Sequence, residues 1–344
     1  MKTIGLYGRK YMDIEHREIE LPDVDDLNVL VKVHACGVCG TDLNFLRDWD
    51  GDAQPMGHEL AGEVVEIGRK VENVRVGQRV IVEDCTYCGI CPDCKLGRTE
   101  LCRNMYDLQG RPGMSRHLLV NCRNLVPFDG MDYTAACLTE PLAVAMGAVL
   151  AADIPMGGSV MVLGHGPIGL MAARMAMIRG AGFVGITGSS DEKPLGRHRL
   201  EVADRIGCGM VLQAAREDAA AKVRGRFPYG VDRVIVTSPP RTMYDAFKMV
   251  HFGGVIVFLG LDFGGGNVID FDVNAAIFNK ITLKSVFAEP AANFAATAEL
   301  LKRGIVDASL FITHTCGYGN VGEVLGDVLK GAIPAVKVVF EPWS

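Results

Sequence analysis

The pattern of apolar and polar positions changes character partway along the chain. Up to about residue 130, short apolar or alternating runs at Val29–Val33, Leu60–Ile67, Gln78–Glu83 and Arg116–Val120 stand between Gly, Asp and Asn, as strands separated by turns do. That pattern predicts a β-rich domain. From Ser159 onward, strand-like runs at Ser159–Leu163, Phe183–Thr187, Val231–Thr237 and Gly254–Leu259 alternate with helix-like segments at Pro167–Arg179, Arg197–Ile206 and Thr242–Val250. Such alternation implies βαβ units and a parallel sheet with helices on both faces. The tail from about Leu283 mixes a helix-like stretch, Phe294–Arg303, with a final strand, Ala335–Phe340, and by pattern alone it could close either domain. No internal repeat or low-complexity linker interrupts the chain.

Length agrees with this division, since 344 residues at roughly 100–200 per domain make about two domains. The 41 acidic residues outnumber the 35 Lys and Arg, giving a net charge of −6 and no basic stripe, so nucleic acid is not an expected partner. A membrane is not expected either. The most apolar stretches, Thr134–Ala152 and Val160–Ile178, are interrupted by Glu140 and Pro141 or by His165 and Arg174, short of the ~18 uncharged residues of a span. Met1 to Lys10 lacks the apolar region of a secretory leader, so a reducing cytoplasm is the expected compartment. Eleven cysteines in that setting read as thiols or metal ligands more readily than as disulfides.

Two local motifs carry chemistry. Gly164-His165-Gly166-Pro167-Ile168-Gly169 follows the strand-like Val160–Leu163 and opens an apolar helix. In such a G-x-G-x-x-G the first glycine permits a tight turn, the second lets a pyrophosphate approach the backbone, and the third lets helix and strand pack closely. Free N–H groups at the helix start then hold the anion. An acid at the end of the second strand would bind a ribose 2′-hydroxyl and select NAD, but Gly188 stands there, followed by Ser189, Ser190, Asp191, Lys193, Arg197 and Arg199. Small hydroxyl residues with nearby Arg, Arg199 in particular, favour NADP, while Asp191 remains within reach of a ribose.

The second motif is Cys88-x2-Cys91-x2-Cys94-x7-Cys102, four thiols in one short loop, as in a closed tetrahedral structural zinc site. Pro92, Gly89 and Gly97 allow the chain to wrap that tightly, and Cys85 offers a competing register. A separate constellation combines Cys39 in Cys36-Gly37-Val38-Cys39-Gly40-Thr41-Asp42, His58-Glu59 after Gly57, and Glu140, whose carboxylate interrupts an apolar stretch where it would be costly unpaired. Cys, His and Glu from three segments form a plausible three-ligand zinc site with one open position, the catalytic pattern.

These residues together resemble the zinc-dependent medium-chain dehydrogenases, which include alcohol, sorbitol, threonine, butanediol and glucose dehydrogenases. The likeness spans nearly the whole chain and is carried by Gly37–Asp42, Gly57-His58-Glu59, the Cys88 to Cys102 loop, Glu140-Pro141-Leu142 and Val162 through Gly169. It implies a GroES-like β-rich catalytic domain over 1–145, a Rossmann domain over 146–282, and a C-terminal segment, 283–344, that returns to the first domain. By resemblance, Cys39, His58 and Glu140 bind the catalytic zinc, with Glu59 close enough to exchange on the metal. Asp42 orients His58, and Thr41 takes the substrate proton. Two zincs per chain, NADP or NAD, and a homodimer or homotetramer are the implied cofactors and assembly. The implied reaction is reversible hydride transfer between a secondary alcohol, polyol or sugar hydroxyl and the nicotinamide, with zinc as Lewis acid.

The chain departs from the family pattern in three places. Asn44 stands where many members have a proton-relaying histidine, so proton exit is expected through water or Glu59. Gly113-Met114-Ser115-Arg116-His117 replaces a segment usually reading Gly-x-Ala-Glu-Tyr, and Gly188 is the third. Phe45, Trp49, Arg116, Glu289 and Asn293 are candidates to line the substrate pocket. The alternative, a non-catalytic structural or redox-sensing relative binding zinc and nucleotide, is disfavoured by the intact Cys39, His58 and Glu140.

Overall fold

In the computed structural model, which describes residues 1–287 and 292–344, the strand Asn28–Gly37 organises the first of two units. Its apolar positions Val29, Leu30, Val31 and Val33 are all buried, so both faces of the strand are covered. It pairs antiparallel with Glu59–Ile67, His117–Asn121 and Lys337–Phe340, within a seven-stranded sheet that also holds Leu125–Pro127, Arg79–Val82 and Ile312–Cys316. Register then decides what meets at its C-terminal end. Gly37 lies opposite Glu59 on one side and Val339 on the other. A Cβ at Gly37 would stand 2.1 Å from Glu59 Oε2, so only glycine lets that carboxylate lie across the strand. This unit comprises Met1–Ala143, Ala288–Leu329 and Lys337–Ser344.

The second unit, Val144–Phe287 with Lys330–Val336, holds a six-stranded, wholly parallel sheet. Its order is Met210–Gln213, Phe183–Gly188, Ser159–Leu163, Val231–Val236, Val250–Phe258, Thr282–Ser285. All five residues of Ser159–Leu163 are buried, the signature of a central strand covered on both faces. The order reverses at this strand, and dinucleotides bind at such a switch point. The helix Pro167–Ile178 follows directly and buries Leu170, Ala172, Ala173 and Ala176, whose small side chains permit close packing on the sheet. The fold is therefore the GroES-like and Rossmann α/β combination expected.

Several elements differ from the expectation for identifiable reasons. Val250–Phe258 begins four residues before Gly254, because the pairing with Val231–Val236 starts at Val250, shifts register and resumes at Val255 across Gly253, whose φ is +78°. Glu140-Pro141 lies in the first turn of Thr139–Ala152, where a missing N–H is harmless. The stretch Tyr133–Ala152 is long and apolar enough to cross a membrane, but most of it is buried inside the chain, as in a core helix.

Candidate functional site

The first site grows from the junction at Gly37. Cys39 is the N-cap of the helix Gly40–Asp48: its Sγ accepts from the Thr41 N–H at 3.4 Å, and its own N–H donates to Asp42 at 2.8 Å, forming a capping box. Asp42, 1% exposed, uses its other oxygen to accept from the Gly57 N–H at 2.8 Å. The structure thus amends the expectation for Asp42: its hydrogen bonds fix the backbone on both sides, at Cys39 and beside His58. Ligand atoms of Cys39, His58 and Glu59 all lie within 4.8 Å of one another.

Electrostatics at this junction are severe. Burial opposes a charge on His58, but Cys39, by charge and hydrogen bond, together with Glu140 and Asp42, holds it well above the usual imidazole range. Burial, then the charge of Glu59, pushes the Glu140 carboxyl well above its usual range, although His58 opposes this. Glu140 is buried beside the three-residue group but falls outside its 4.8 Å limit. Glu59 is fully buried, and both its oxygens accept from Lys337 Nζ, at 2.6 and 2.7 Å. Lys337 also donates to Val38 O at 3.0 Å, and although burial opposes its charge, Glu59 holds its pKa up. Lys337 was not singled out from sequence; the available signal was one charged residue inside the apolar run Ala335–Phe340. With Cys39, His58 and Glu59 within 4.8 Å of one another and Glu140 buried beside them, the donor set fits a divalent cation.

Local geometry draws the four loop cysteines together. Their sulfurs lie within 4.8 Å of one another, with Cys88–Cys94 at 4.0 Å and Cys91–Cys102 at 3.9 Å. Gly89 and Gly97 have φ of +75° and +77°, and Pro92 opens the short turn after Cys91. N–H groups of Ile90 and Cys91 point at Cys88 Sγ and draw its pKa down to about 6. Burial and the neighbouring thiols push Cys94 up to about 12. Cys85 is outside the group, its Sγ 3.2 Å from Met105 Sδ. Four converging sulfurs suit a zinc ion.

In the second unit, the three glycines of the loop Gly164–Gly169 differ in geometry. Gly164 has φ +114°, Gly166 caps the helix with nothing within 4 Å of its would-be Cβ, and a Cβ on Gly169 would be 1.8 Å from Gly164 O. Gly164, His165 and Gly166 border a groove of about 750 Å³, with Gly188, Ser189 and Ser238 among its other walls. Pro167 and Ile168 form the first helical turn. Arg199 is partly buried, and its Nε donates to Ala335 O at 2.8 Å, so its guanidinium is engaged in packing. Asp191 instead pairs with Arg216 at 2.7 Å.

The remaining candidates scatter. Asn44 accepts from Arg47 at 2.8 Å. Phe45 and Trp49, the residue that caps the end of the same helix, contact edge to face, whereas Arg116 stacks over Tyr318 and Trp343 at 5.6 and 5.2 Å, a packing role. Asn293 precedes the helix Phe294–Lys302, and Glu289 lies outside the described residues. The divergent segment at Gly113 is pinned beside the His58 loop, Gly113 N–H donating to Gly57 O at 2.9 Å.

Residues 25–130 match the family described as alcohol dehydrogenase GroES-like domain, and residues 167–303 match zinc-binding dehydrogenase. The chain is 32% identical to L-galactonate-5-dehydrogenase of Escherichia coli K12 over 90% of this chain and 89% of that protein. It is 30% identical to sorbitol dehydrogenase of Bacillus subtilis, covering 99% and 97%. A solved zinc-binding dehydrogenase from Sinorhizobium meliloti, bound to NADP, superposes with TM-score 0.85 at 26% identity, covering 99% of this chain and 100% of that one. These folds and matches define a zinc-dependent oxidoreductase that uses a nicotinamide dinucleotide. More narrowly, the chain belongs to the zinc-dependent medium-chain dehydrogenase family, as an alcohol or polyol dehydrogenase.

Proposed function

We propose that the chain oxidises a secondary hydroxyl of a polyol or sugar to its carbonyl, and reverses that reaction, with NADP as hydride acceptor and two zincs per chain. The observation that carries this reading is the convergence of Cys39, His58 and Glu59 within 4.8 Å beside the buried Glu140. Cys39, His58 and Glu140 hold the catalytic metal, with Glu59 within reach of it, and Cys88, Cys91, Cys94 and Cys102 hold a structural one. Zinc, when bound, supplies a Lewis acid that polarises the substrate hydroxyl. Thr41 takes the hydroxyl proton. Glu59 is gripped through both oxygens by Lys337, and Asn44 by Arg47, so water is the outward route for that proton. Gly164–Gly169 hold the pyrophosphate at the helix start.

Glu140, where many alcohol dehydrogenases have a cysteine, and the likeness to galactonate and sorbitol dehydrogenases support a polyol or sugar. Gly188 and Ser189, with the NADP-bound relative, support NADP. Residues 1–145 act as the catalytic domain and 146–282 as the cofactor domain, with 283–344 completing the first. Exposed Phe252, Ile277, Phe278 and Phe287 near the edge strand Thr282–Ser285 support a homodimer or homotetramer. Eleven cysteines, none in a disulfide, suit the cytoplasm. The test is a spectrophotometric screen of polyols, aldoses, inositols, threonine and butanediol with NADP and NAD separately. Turnover of polyols or sugars with NADP is the expected result; turnover confined to threonine or to primary alcohols would overturn the substrate class.

A further inference from the structure

The end of the strand Phe183–Gly188 is closed by a side chain from the glycine loop. A Cβ at Gly188 would stand 2.4 Å from His165 Cδ2 and 2.9 Å from its Cγ, with Leu200 Cδ2 at 2.7 Å. A leucine methyl can turn aside, but the His165 ring is wedged. It is 8% exposed, and its Nε2 lies 3.9 Å from where a Cβ on Gly196 would be. Gly196 itself is packed against Ser190, whose carbonyl oxygen would be 2.1 Å from that Cβ. The imidazole thus fills the space between the strand end and the first turn of the helix Pro194–Arg205.

We propose that His165 is a specificity-determining residue for the dinucleotide: its ring bars an acidic side chain from position 188 and leaves the adenosine ribose to Ser189 and Arg216. The first half stands on packing alone, and the second deepens, and rests on, the NADP reading above. His165 borders the same groove as Gly188 and Ser189, and its Nε2 is buried without a hydrogen-bond partner among the described residues. A buried polar nitrogen facing a ligand groove is stabilised when a ligand hydroxyl or phosphate oxygen meets it. Burial pushes the ring down to about 4, so His165 offers a neutral hydrogen bond and no charge at neutral pH.

The charge for a 2′-phosphate therefore comes from elsewhere. Arg199 is engaged with Ala335 O. Arg216 follows Ala214 and Ala215, which border the groove, and its half-exposed guanidinium pairs with Asp191 at 2.7 Å and Glu192 at 3.5 Å. Exposed ion pairs contribute little, and a phosphate dianion offers a guanidinium stronger, bidentate hydrogen bonds. Arg216 exchanges Asp191 for the phosphate when NADP binds.

The test is equilibrium binding of NADP and NAD to the zinc-loaded protein by calorimetry, with folding followed by circular dichroism. Gly188→Asp alone is expected to weaken both dinucleotides by at least ~10-fold, since the carboxylate and the ring compete for one space. Adding His165→Ala makes room, and the double variant is expected to bind NAD at least ~10-fold more tightly than Gly188→Asp. Arg216→Ala is expected to weaken NADP by ~10–100-fold, the range for a charged hydrogen bond, and to leave NAD within about twofold. Gly188→Asp binding NAD as tightly as the double variant overturns the role of His165. If Gly188→Asp fails to fold, recovery on adding His165→Ala supports the close contact, and no recovery overturns it. Should the unaltered protein prefer NAD, the NADP reading and the Arg216 role fall together, while the single and double variants still decide His165.

Discussion

Lys337 and Glu59 were each removed from water by the fold, so each charge depends on the other. Breaking such a pair leaves one buried charge uncompensated. Lys337→Met is therefore expected to cost about 3–5 kcal/mol, and Glu59→Gln with Lys337→Met together much less, in denaturant unfolding of the metal-free protein. Equal losses for the single and double variants would show that the pair is not coupled. The partner of Lys337 was not legible in the sequence, because it lies 278 positions away and only the sheet register brings it there. The types of the candidate ligands were legible, since Cys, His and Glu stand out in apolar surroundings, but the backbone role of Asp42 was not. His165 gives a pH effect. Burial lowers its pKa from the ordinary 6.5 to about 4, so between those pH values the unfolded chain takes a proton that the folded chain refuses. Stability from this group is intact at pH 7 and is lost as pH falls, by on the order of 3 kcal/mol at pH 4. His165→Leu should flatten the decline of Tm between pH 6.5 and 4; parallel curves for the two proteins would exclude this linkage.

The glycine loop separates folding from binding at the scale of one strand, turn and helix. Gly166→Ala adds a methyl into open space, so Tm should stay unchanged while dinucleotide affinity falls; Gly169→Ala drives a methyl into Gly164 O. The second variant should lose roughly 1–3 kcal/mol by overpacking, measured by thermal unfolding. A stable Gly169→Ala variant, or full affinity in Gly166→Ala, would contradict the division of roles. Strands with both faces covered were legible because they are continuous apolar runs, Ser159–Leu163 above all. Edge elements were not. Met210–Gln213 and Thr282–Ser285 bury too little to leave a pattern, and Gly253-Gly254 masked the start of Val250–Phe258. The gathering of the four loop cysteines was legible because they are close in sequence.

Over the whole molecule, Phe252, Ile277, Phe278 and Phe287 are exposed apolar side chains of the kind an oligomer interface covers. Phe278→Glu should shift the sedimentation coefficient from an oligomer toward a monomer, and a monomeric unaltered protein would remove the assembly proposal. The two-unit division was legible as a change of texture near Ser159, whereas the return of Lys337–Phe340 to the first unit needed long-range pairing to see. Both candidate metal sites meet in one measurement: zinc content per chain, by plasma mass spectrometry, for the unaltered protein and for Cys39→Ser. Two zincs falling to one, with turnover lost and NADP binding retained, is the predicted result. A single zinc in the unaltered protein, or undiminished turnover in Cys39→Ser, would contradict it.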